Sequence, residues 1–195
     1  ALAGDDISKQ PAYDMKLEAM IPVLEKKIPL KTHAHRADDI LTALRIAREF
    51  DVLMTLDHCT EGHLIVDEVK ASGFPAFVGP SLTDKSKFEL KNLTFATAGI
   101  LNKAGVKIAL ITDAPVIPQE YLPLCAGLAC KKGLAEMEAL KAITINPAEI
   151  LGIADRVGSL TAGKDADIVV SDGNIFNTLT NVNYTFINGE MVYQF

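Results

Sequence analysis

The sequence predicts an α/β protein in which parallel strands alternate with helices, followed by a small β-rich tail. From about residue 13 to 151, short apolar runs alternate with amphipathic segments. After residue 152, turn glycines surround short apolar runs, and the helical spacing is lost. Hydrophobic residues make up 49% of the 195-residue chain, which is ample for a large buried core.

Four apolar runs are the predicted parallel strands. They are IPLKTH (28–33), VLMTLDH (52–58), FPAFVG (74–79) and VKIALITD (106–113). A helix is predicted between the first two, because apolar residues recur there at helical spacing. These residues are Ala37, Ile40, Leu41, Leu44, Ala47 and Phe50. Asp38 and Asp39 fall in the first turn of this helix, where its dipole favours anions.

Five further helices are predicted. They lie at about 14–26, 61–71, 94–104, 117–131 and 134–145. A last short helix is expected in the segment INPAEILG, residues 145–152. There Asn146 suits the N-cap, Pro147 the first helical position, Glu149 the capping box and Gly152 the stop.

The tail is predicted to be β-structure. The segment GSLTAGKDADIVVSDG (158–173) has glycines around an apolar strand, and NVNYTFINGEMVYQF (181–195) alternates about Asn188-Gly189. This dipeptide is a strong signal for a two-residue hairpin turn. About three strands are marginal for an independent sheet, so we expect this layer to dock on other structure.

Charge and cysteine content narrow the class of protein. The net charge is −6 with no block of like charges, which argues against nucleic-acid binding and against a basic membrane-binding surface. Small molecules or other proteins are the expected partners. The apolar runs are too short to span a membrane and no leader opens the chain, so we expect a cytoplasmic protein. Three cysteines are too few for a disulfide framework, so reduced, buried thiols are expected.

Two histidines and one aspartate occur at or near the ends of predicted strands. His33, His58 and Asp113 are separated by 25 and 55 residues, or about one and two βα units. The carboxyl ends of parallel strands share one edge, where ligands gather. Two imidazoles and a carboxylate suit zinc or a similar divalent ion. Each residue alone is typical of a hydrogen-bonded strand end or turn, so the spacing favours a metal site no more than a structural role.

Five segments together resemble the C-terminal half of an amidohydrolase-superfamily enzyme, of the imidazolonepropionase-like or Xaa-Pro-dipeptidase-like kind. They are KTHAHRADDILTALRIA, LDHCTEGHLI, ITDAPVIPQEYLPL, ALKAITINPAEILGIADRVGSLTAGKDADIVVSDGN and VNYTFINGEMVY. The resemblance covers nearly the whole chain. The HxH and TD motifs are weak singly, but their order with the INPA helix and the GSLxxGKDAD strand is specific.

The resemblance implies a distorted (β/α)8 TIM-type barrel with a small β-sandwich domain made from both chain ends. Residues 1–152 would form strands 5 to 8 with their helices, and residues 153–195 the C-terminal part of the sandwich. It also implies a hydrolase of amide-type C–N bonds that uses metal-activated water. His33 and His58 would bind a divalent metal, most often Zn²⁺, with one or two ions in a complete site. Asp113 would be a ligand and the catalytic acid and base.

Two further histidines are candidate substrate-binding residues. His35 faces the same way as His33 on a strand, so it would contact substrate or support the metal ligands. The alternative is a hydrogen-bonded histidine at the rim of the site with no functional role. His63 would lie at the start of the next helix. The sequence is equally compatible with contact to substrate and with a polar residue that only suits the start of a helix.

Other polar residues near these positions have simpler interpretations. Thr60 and Glu61 are expected to act as loop or capping residues, and Cys59 to pack beside the site. Arg36 and Tyr121 could meet a substrate carboxylate, but a solvated surface role is favoured for both. The lysines of the loop GPSLTDKSKFELKN are expected to keep that loop solvated.

The resemblance also identifies residues that are missing. The family's strand-1 HxH pair and strand-4 bridging lysine or glutamate belong to a preceding segment, and residues 1–28 do not supply them. Half a barrel has open strand edges, so we expect a fragment that pairs with a missing N-terminal half or self-associates. A noncatalytic metal-binding or assembly half stays an alternative to the hydrolase, as does another barrel chemistry such as a lyase or isomerase.

Overall fold

The computed structural model describes residues 11–195 and contains a parallel sheet of four strands. The strands are β1 (Leu30–Ala34), β2 (Met54–His58), β3 (Ala76–Val78) and β4 (Ile108–Leu110), in the order β1-β2-β3-β4. In the register of the sheet, Leu56 pairs with Ala76, and Ala76 pairs with Ile108. The predicted parallel α/β arrangement is confirmed; β2, β3 and β4 fall inside the apolar runs that predicted them, and β1 extends one residue beyond its run, to Ala34.

Eight helices are present in residues 11–195. They are α1 (Met15–Glu18), α2 (Ile21–Leu24), α3 (Ala37–Phe50), α4 (Val66–Ser72), α5 (Ala96–Ala104), α6 (Leu122–Lys131), α7 (Glu136–Ala142) and α8 (Ile145–Ile150). The helix predicted at 14–26 is instead two short helices, because Pro22 has no N–H to continue the hydrogen-bond ladder. Short 3₁₀ turns at Gly62–Leu64 and Gln119–Tyr121 precede α4 and α6, respectively.

The main core lies between the parallel sheet and the helices. Helix α3 contributes Ile40 and Leu44, which are 0% and 1% exposed, to this core. Leu56 and Ile108 are fully buried on the strands facing it. Leu41 and Phe50 belong to the predicted apolar stripe of α3, but they remain 40% and 58% exposed. The buried face of α3 is therefore narrower than its sequence pattern predicts.

Helix α8 differs from its predicted capping. It begins at Ile145 after Thr144, so Asn146 lies inside the helix and is not the N-cap. The amide of Asn146 donates to the carbonyl oxygen of Ile108 in β4, at 2.9 Å. This tertiary hydrogen bond gives the side chain a better partner than a cap would. Gly152 follows the helix end with a φ of 71°, as the stop signal predicted.

The tail forms a separate antiparallel sheet of β5 (Ile168–Ser171), β6 (Val182–Ile187) and β7 (Glu190–Gln194). The hairpin at Asn188-Gly189 is confirmed, because both residues have positive φ, 52° and 80°, as a type I′ turn requires. Every residue of β7 is exposed. Within residues 11–195, no helix is both long enough and apolar enough to cross a membrane.

Candidate metal site

The carboxyl ends of β1 and β2 bring His33 and His58 together. In a regular strand His58 would share the face of Met54 and Leu56, both buried in the core. His58 and the following Cys59 instead have left-handed φ values of 71° and 45°. Such values are uncommon for residues other than glycine, and they cluster at functional sites. This turn breaks the alternation and lets the His58 ring meet His33.

The geometry of this pair is well defined. Nε2 of His58 lies 3.0 Å from Nδ1 of His33, and the two rings are inclined at 70° with centroids 4.3 Å apart. Nδ1 of His58 donates to the carbonyl oxygen of Gly79, at 2.7 Å. Because a carbonyl can only accept, the proton of a neutral His58 ring stays on Nδ1. The lone pair of Nε2 then faces His33.

His35 is buried beside the pair. Its Nδ1 lies 2.7 Å from Oγ1 of Thr60, and its Nε2 lies 4.0 Å from a carboxylate oxygen of Glu89. Its ring stacks on that of His58, with centroids 4.4 Å apart and planes only 18° from parallel. Burial, together with the nearby His58 ring, lowers the pKa of His35 to about 4, so the imidazole is neutral at neutral pH.

One nitrogen from each of His33, His35 and His58 lies within 4.8 Å of the other two. These three residues could therefore hold a metal ion, since neutral imidazole nitrogens are ligands that zinc and similar ions prefer. The rings of His58 and His35, both buried, already have their second nitrogen engaged, by Gly79 and Thr60 respectively, whereas His33 is exposed. Such outer contacts fix the orientation of a ligand ring.

Asp113 and His63 lie outside this group in the part of the chain that the structure describes. Asp113 is exposed, follows the last residue of β4 by three positions and has a φ of 54°. Nδ1 of His63 lies 2.9 Å from Oγ1 of Thr97 and 3.2 Å from the carbonyl oxygen of Thr60. The structure thus joins His35 to the predicted histidine pair, but it does not bring Asp113 into the same cluster.

Three of the expected supporting roles, those of Glu61, Cys59 and Arg36, agree with the structure, whereas Thr60 contacts the His35 ring. Glu61 accepts a hydrogen bond from the backbone N–H of Ala37, the first residue of α3, at 2.8 Å. Cys59 is fully buried and packs against Gly62, where an added Cβ would come within 2.5 Å of its sulfur. Arg36 binds Asp38 through two hydrogen bonds of 2.8 Å at the surface.

Sequence reasoning missed Gly79 and Glu89. Gly79 has a φ of 142°, and an added Cβ would lie 2.0 Å from the carbonyl oxygen of Ile111. The Gly-Pro pair directly after β3 was the available signal for a special backbone position. Glu89 had no such signal, because its approach to His35 depends on the path of a long loop.

Below the histidines, the same face of the sheet is charged. Lys31 forms an ion pair of 2.9 Å with Asp57, and its ammonium lies 4.4 Å from the centre of the Phe77 ring. Thr55 donates to Asp57 at 3.0 Å. The face that carries His33 is therefore polar over at least two layers of side chains, unlike the apolar face toward the helices.

Comparison with known proteins identifies the family. Residues 17–192 match the amidohydrolase family, so the chain belongs to that family. An imidazolonepropionase from Streptococcus pyogenes serotype M2 (strain MGAS10270) is 32% identical over 166 residues. This match covers 83% of the present chain and 37% of the relative.

Solved structures agree with this result. An amidohydrolase from Thermotoga maritima MSB8 is similar with a TM-score of 0.90 and 46% identity, over 95% of this chain and 49% of that one. A Xaa-Pro dipeptidase solved with bound methionine shares the fold, with a TM-score of 0.68 and 21% identity. That match covers 91% of this chain and 47% of the dipeptidase. The chain thus spans about half the length of these two structures.

Proposed function

We propose that the complete protein is a metal-dependent hydrolase of amide-type C–N bonds, with His33 and His58 as metal ligands. The observation that carries this proposal is the 3.0 Å separation between Nδ1 of His33 and Nε2 of His58 at the ends of neighbouring parallel strands. Membership of the amidohydrolase family, and similarity to an imidazolonepropionase and a dipeptidase, support the type of bond.

The donor atoms fit a zinc ion. Two nitrogens bound to one tetrahedral zinc at about 2.0–2.1 Å lie about 3.3 Å apart, close to the observed spacing. The hydrogen bond from His58 to Gly79 leaves Nε2 as the ligand atom and orients the ring. His35 fits less well as a third ligand. Its ring is nearly parallel to that of His58, and lone pairs in parallel planes do not converge on one ion.

In this proposal, a bound Zn²⁺ supplies a nucleophilic water at neutral pH. The Asp113 carboxylate accepts a proton from the attacking water and delivers it to the leaving nitrogen as the C–N bond breaks. Its exposed position after β4 leaves it accessible to substrate. His35, kept neutral, and His63 contact the substrate and help to orient it.

We further propose that residues 1–152 provide strands 5 to 8 of a TIM-type barrel and that residues 153–195 provide part of a β-sandwich. The parallel order of β1 to β4 and the separate sheet of the tail support this division. The remaining half would come from polypeptide equivalent to the other half of the Thermotoga maritima relative. The cytoplasmic location stays a prediction.

Metal content tests the ligand assignment. After loading with zinc and dialysis to remove the excess, the wild-type chain should retain about one equivalent of zinc, because the proposed pair of histidines provides one site. His33→Ala and His58→Ala should each abolish this retention, while His63→Ala should keep it. Zinc content that is unchanged in His58→Ala, measured by plasma mass spectrometry, would overturn the assignment.

Turnover tests the reaction. The chain should be assayed alone and with the N-terminal half of the Thermotoga maritima relative, against N-acyl amino acids, dipeptides and cyclic amides. Asp113→Asn should keep the zinc of the reconstituted protein but lower kcat by about 10²–10⁴, as loss of a general acid and base does. A fully metallated, reconstituted protein without hydrolytic activity would instead favour a noncatalytic half or another barrel chemistry.

A further inference from the structure

Glu61 is a buried carboxylate that joins two distant parts of the chain. The residue is only 5% exposed. One carboxylate oxygen accepts from the backbone N–H of Ala37, and the other accepts from the side-chain amide of Asn92, both at 2.8 Å. Asn92 lies 31 positions further along the chain. We name this arrangement of Glu61, Ala37 and Asn92 the clasp.

The clasp connects the three loops that surround the histidines. The loop after β1 contains His35, whose carbonyl oxygen accepts from the N–H of Glu61, at 2.8 Å. The loop after β2 contains Glu61 itself and Thr60, which contacts the His35 ring. The loop after β3 contains Glu89 and, three residues later, Asn92, so the clasp fixes the segment that approaches His35.

Helix capping alone does not account for this arrangement. To cap the N–H of Ala37 at the start of α3, Glu61 needs only one acceptor oxygen, and one of its two carboxylate oxygens fills this role. The second oxygen reaches a different loop. Among the residues that the structure describes, Glu61 forms no ion pair, so the two hydrogen bonds and the N-terminal dipole of the 14-residue α3 stabilise its charge.

We infer that Glu61 and Asn92 are positioning residues of the histidine site. The clasp holds the loop with Glu89 against His35, and His35 in turn stacks on the His58 ring. Loss of the clasp frees this loop and loosens the stack, so the proposed metal ligand loses a constraint on its orientation. Residues that orient a ligand affect metal affinity by about 10–100-fold when they are removed. This inference rests on the proposed metal function of His58.

The experiment compares four forms of the 195-residue chain. They are the wild type, Asn92→Ala, the double variant Glu61→Gln with Asn92→Asp, and the control Asn102→Ala. In the double variant, the new amide at position 61 still accepts from the N–H of Ala37 and donates to the new carboxylate at position 92. The control removes another Asn–Glu hydrogen bond, from Asn102 to Glu138, which lies away from the histidines. Co²⁺ titration and amide hydrogen exchange over residues 80–91 are the measurements.

Asn92→Ala should speed hydrogen exchange over residues 80–91 and weaken Co²⁺ binding about tenfold. The double variant should restore both the slow hydrogen exchange and the Co²⁺ affinity. Asn102→Ala should change neither, even if it lowers Tm by as much as Asn92→Ala. The inference would be overturned if Asn92→Ala had the hydrogen-exchange rate and Co²⁺ affinity of the wild type. It would also be overturned if the double variant recovered neither. Failure of the wild type to bind Co²⁺ would contradict the proposed metal site, while hydrogen exchange would still decide whether the clasp holds the loop.

Discussion

At the scale of single residues, the site depends on backbone positions that side-chain patterns do not reveal. The strand pattern predicts that His33 and His58 come to the same edge of the sheet, because both lie at the carboxyl ends of parallel strands. The stacking of His35 on His58 and the hydrogen bond to Gly79 could not, because they require the left-handed φ at His58. The alternation rule alone would have placed His58 toward the helices.

Gly79→Ala should unfold more easily than the wild type and lose affinity for zinc. An added Cβ meets the backbone oxygen of Ile111 at 2.0 Å, so the carbonyl that holds His58 must move. Strain of this kind costs about 1–3 kcal/mol or more. Gly73→Ala is the matched control, because Gly73 also has positive φ but has open space around it. Urea unfolding with zinc titration makes the comparison, and equal effects of the two variants would contradict it.

The cysteines should differ in reactivity. Burial raises the pKa of Cys59 to about 12, whereas Cys130 is only partly buried. Because the thiolate is the reactive form, Cys59 should stay unmodified by a thiol reagent at about pH 8, and Cys130 should react first. Mass spectrometry of peptides after timed alkylation checks this order. Early modification of Cys59 in folded protein would show that the turn after β2 opens readily.

At the scale of elements, periodicity predicts where helices and strands occur better than it predicts their ends. The amphipathic pattern located α3 correctly, but it could not show that Leu41 and Phe50 lie outside the packed face. The capping pattern at α8 failed because Asn146 finds a tertiary partner in β4. Contacts between distant elements, such as the one between Glu61 and Asn92, have no local signature in the sequence.

Truncations on α3 test which face is buried. Ile40→Ala should lower the free energy of unfolding by about 2–5 kcal/mol, because it leaves a cavity in the core. Leu41→Ala should cost less than about 1 kcal/mol, since much of that side chain is already in solvent. Urea denaturation of both variants provides the values. Similar losses would mean that this face of α3 packs differently.

At the scale of the whole molecule, two features support the proposal that a second polypeptide completes the fold. The chain covers 49% of the Thermotoga maritima amidohydrolase, and the second sheet exposes large apolar side chains. Four of these, Val169, Ile187, Met191 and Val192, are at least half exposed. Exposed apolar surface of this kind marks interaction sites, although the sequence alone could not show which residues remain uncovered.

Addition of the N-terminal half of the Thermotoga maritima relative should produce a stable complex with this chain. We expect it to suppress the fluorescence of a dye that binds apolar surface and to prevent self-association, because it would cover the second sheet. Analytical ultracentrifugation with dye titration measures both effects. Lys107 and Glu149 form an exposed ion pair away from this sheet, so Glu149→Gln serves as a control and should leave complex formation unchanged. No complex at micromolar concentration would contradict the proposed completion.

The proposed pair of zinc ligands can be tested by a crystal structure of the chain grown with Zn²⁺, with anomalous data collected at the zinc edge. With His33 and His58 as ligands, we expect an anomalous peak about 2.1 Å from both Nδ1 of His33 and Nε2 of His58. A zinc ion bound elsewhere, for example between His35 and Glu89 with His58 still paired only to Gly79, would contradict it.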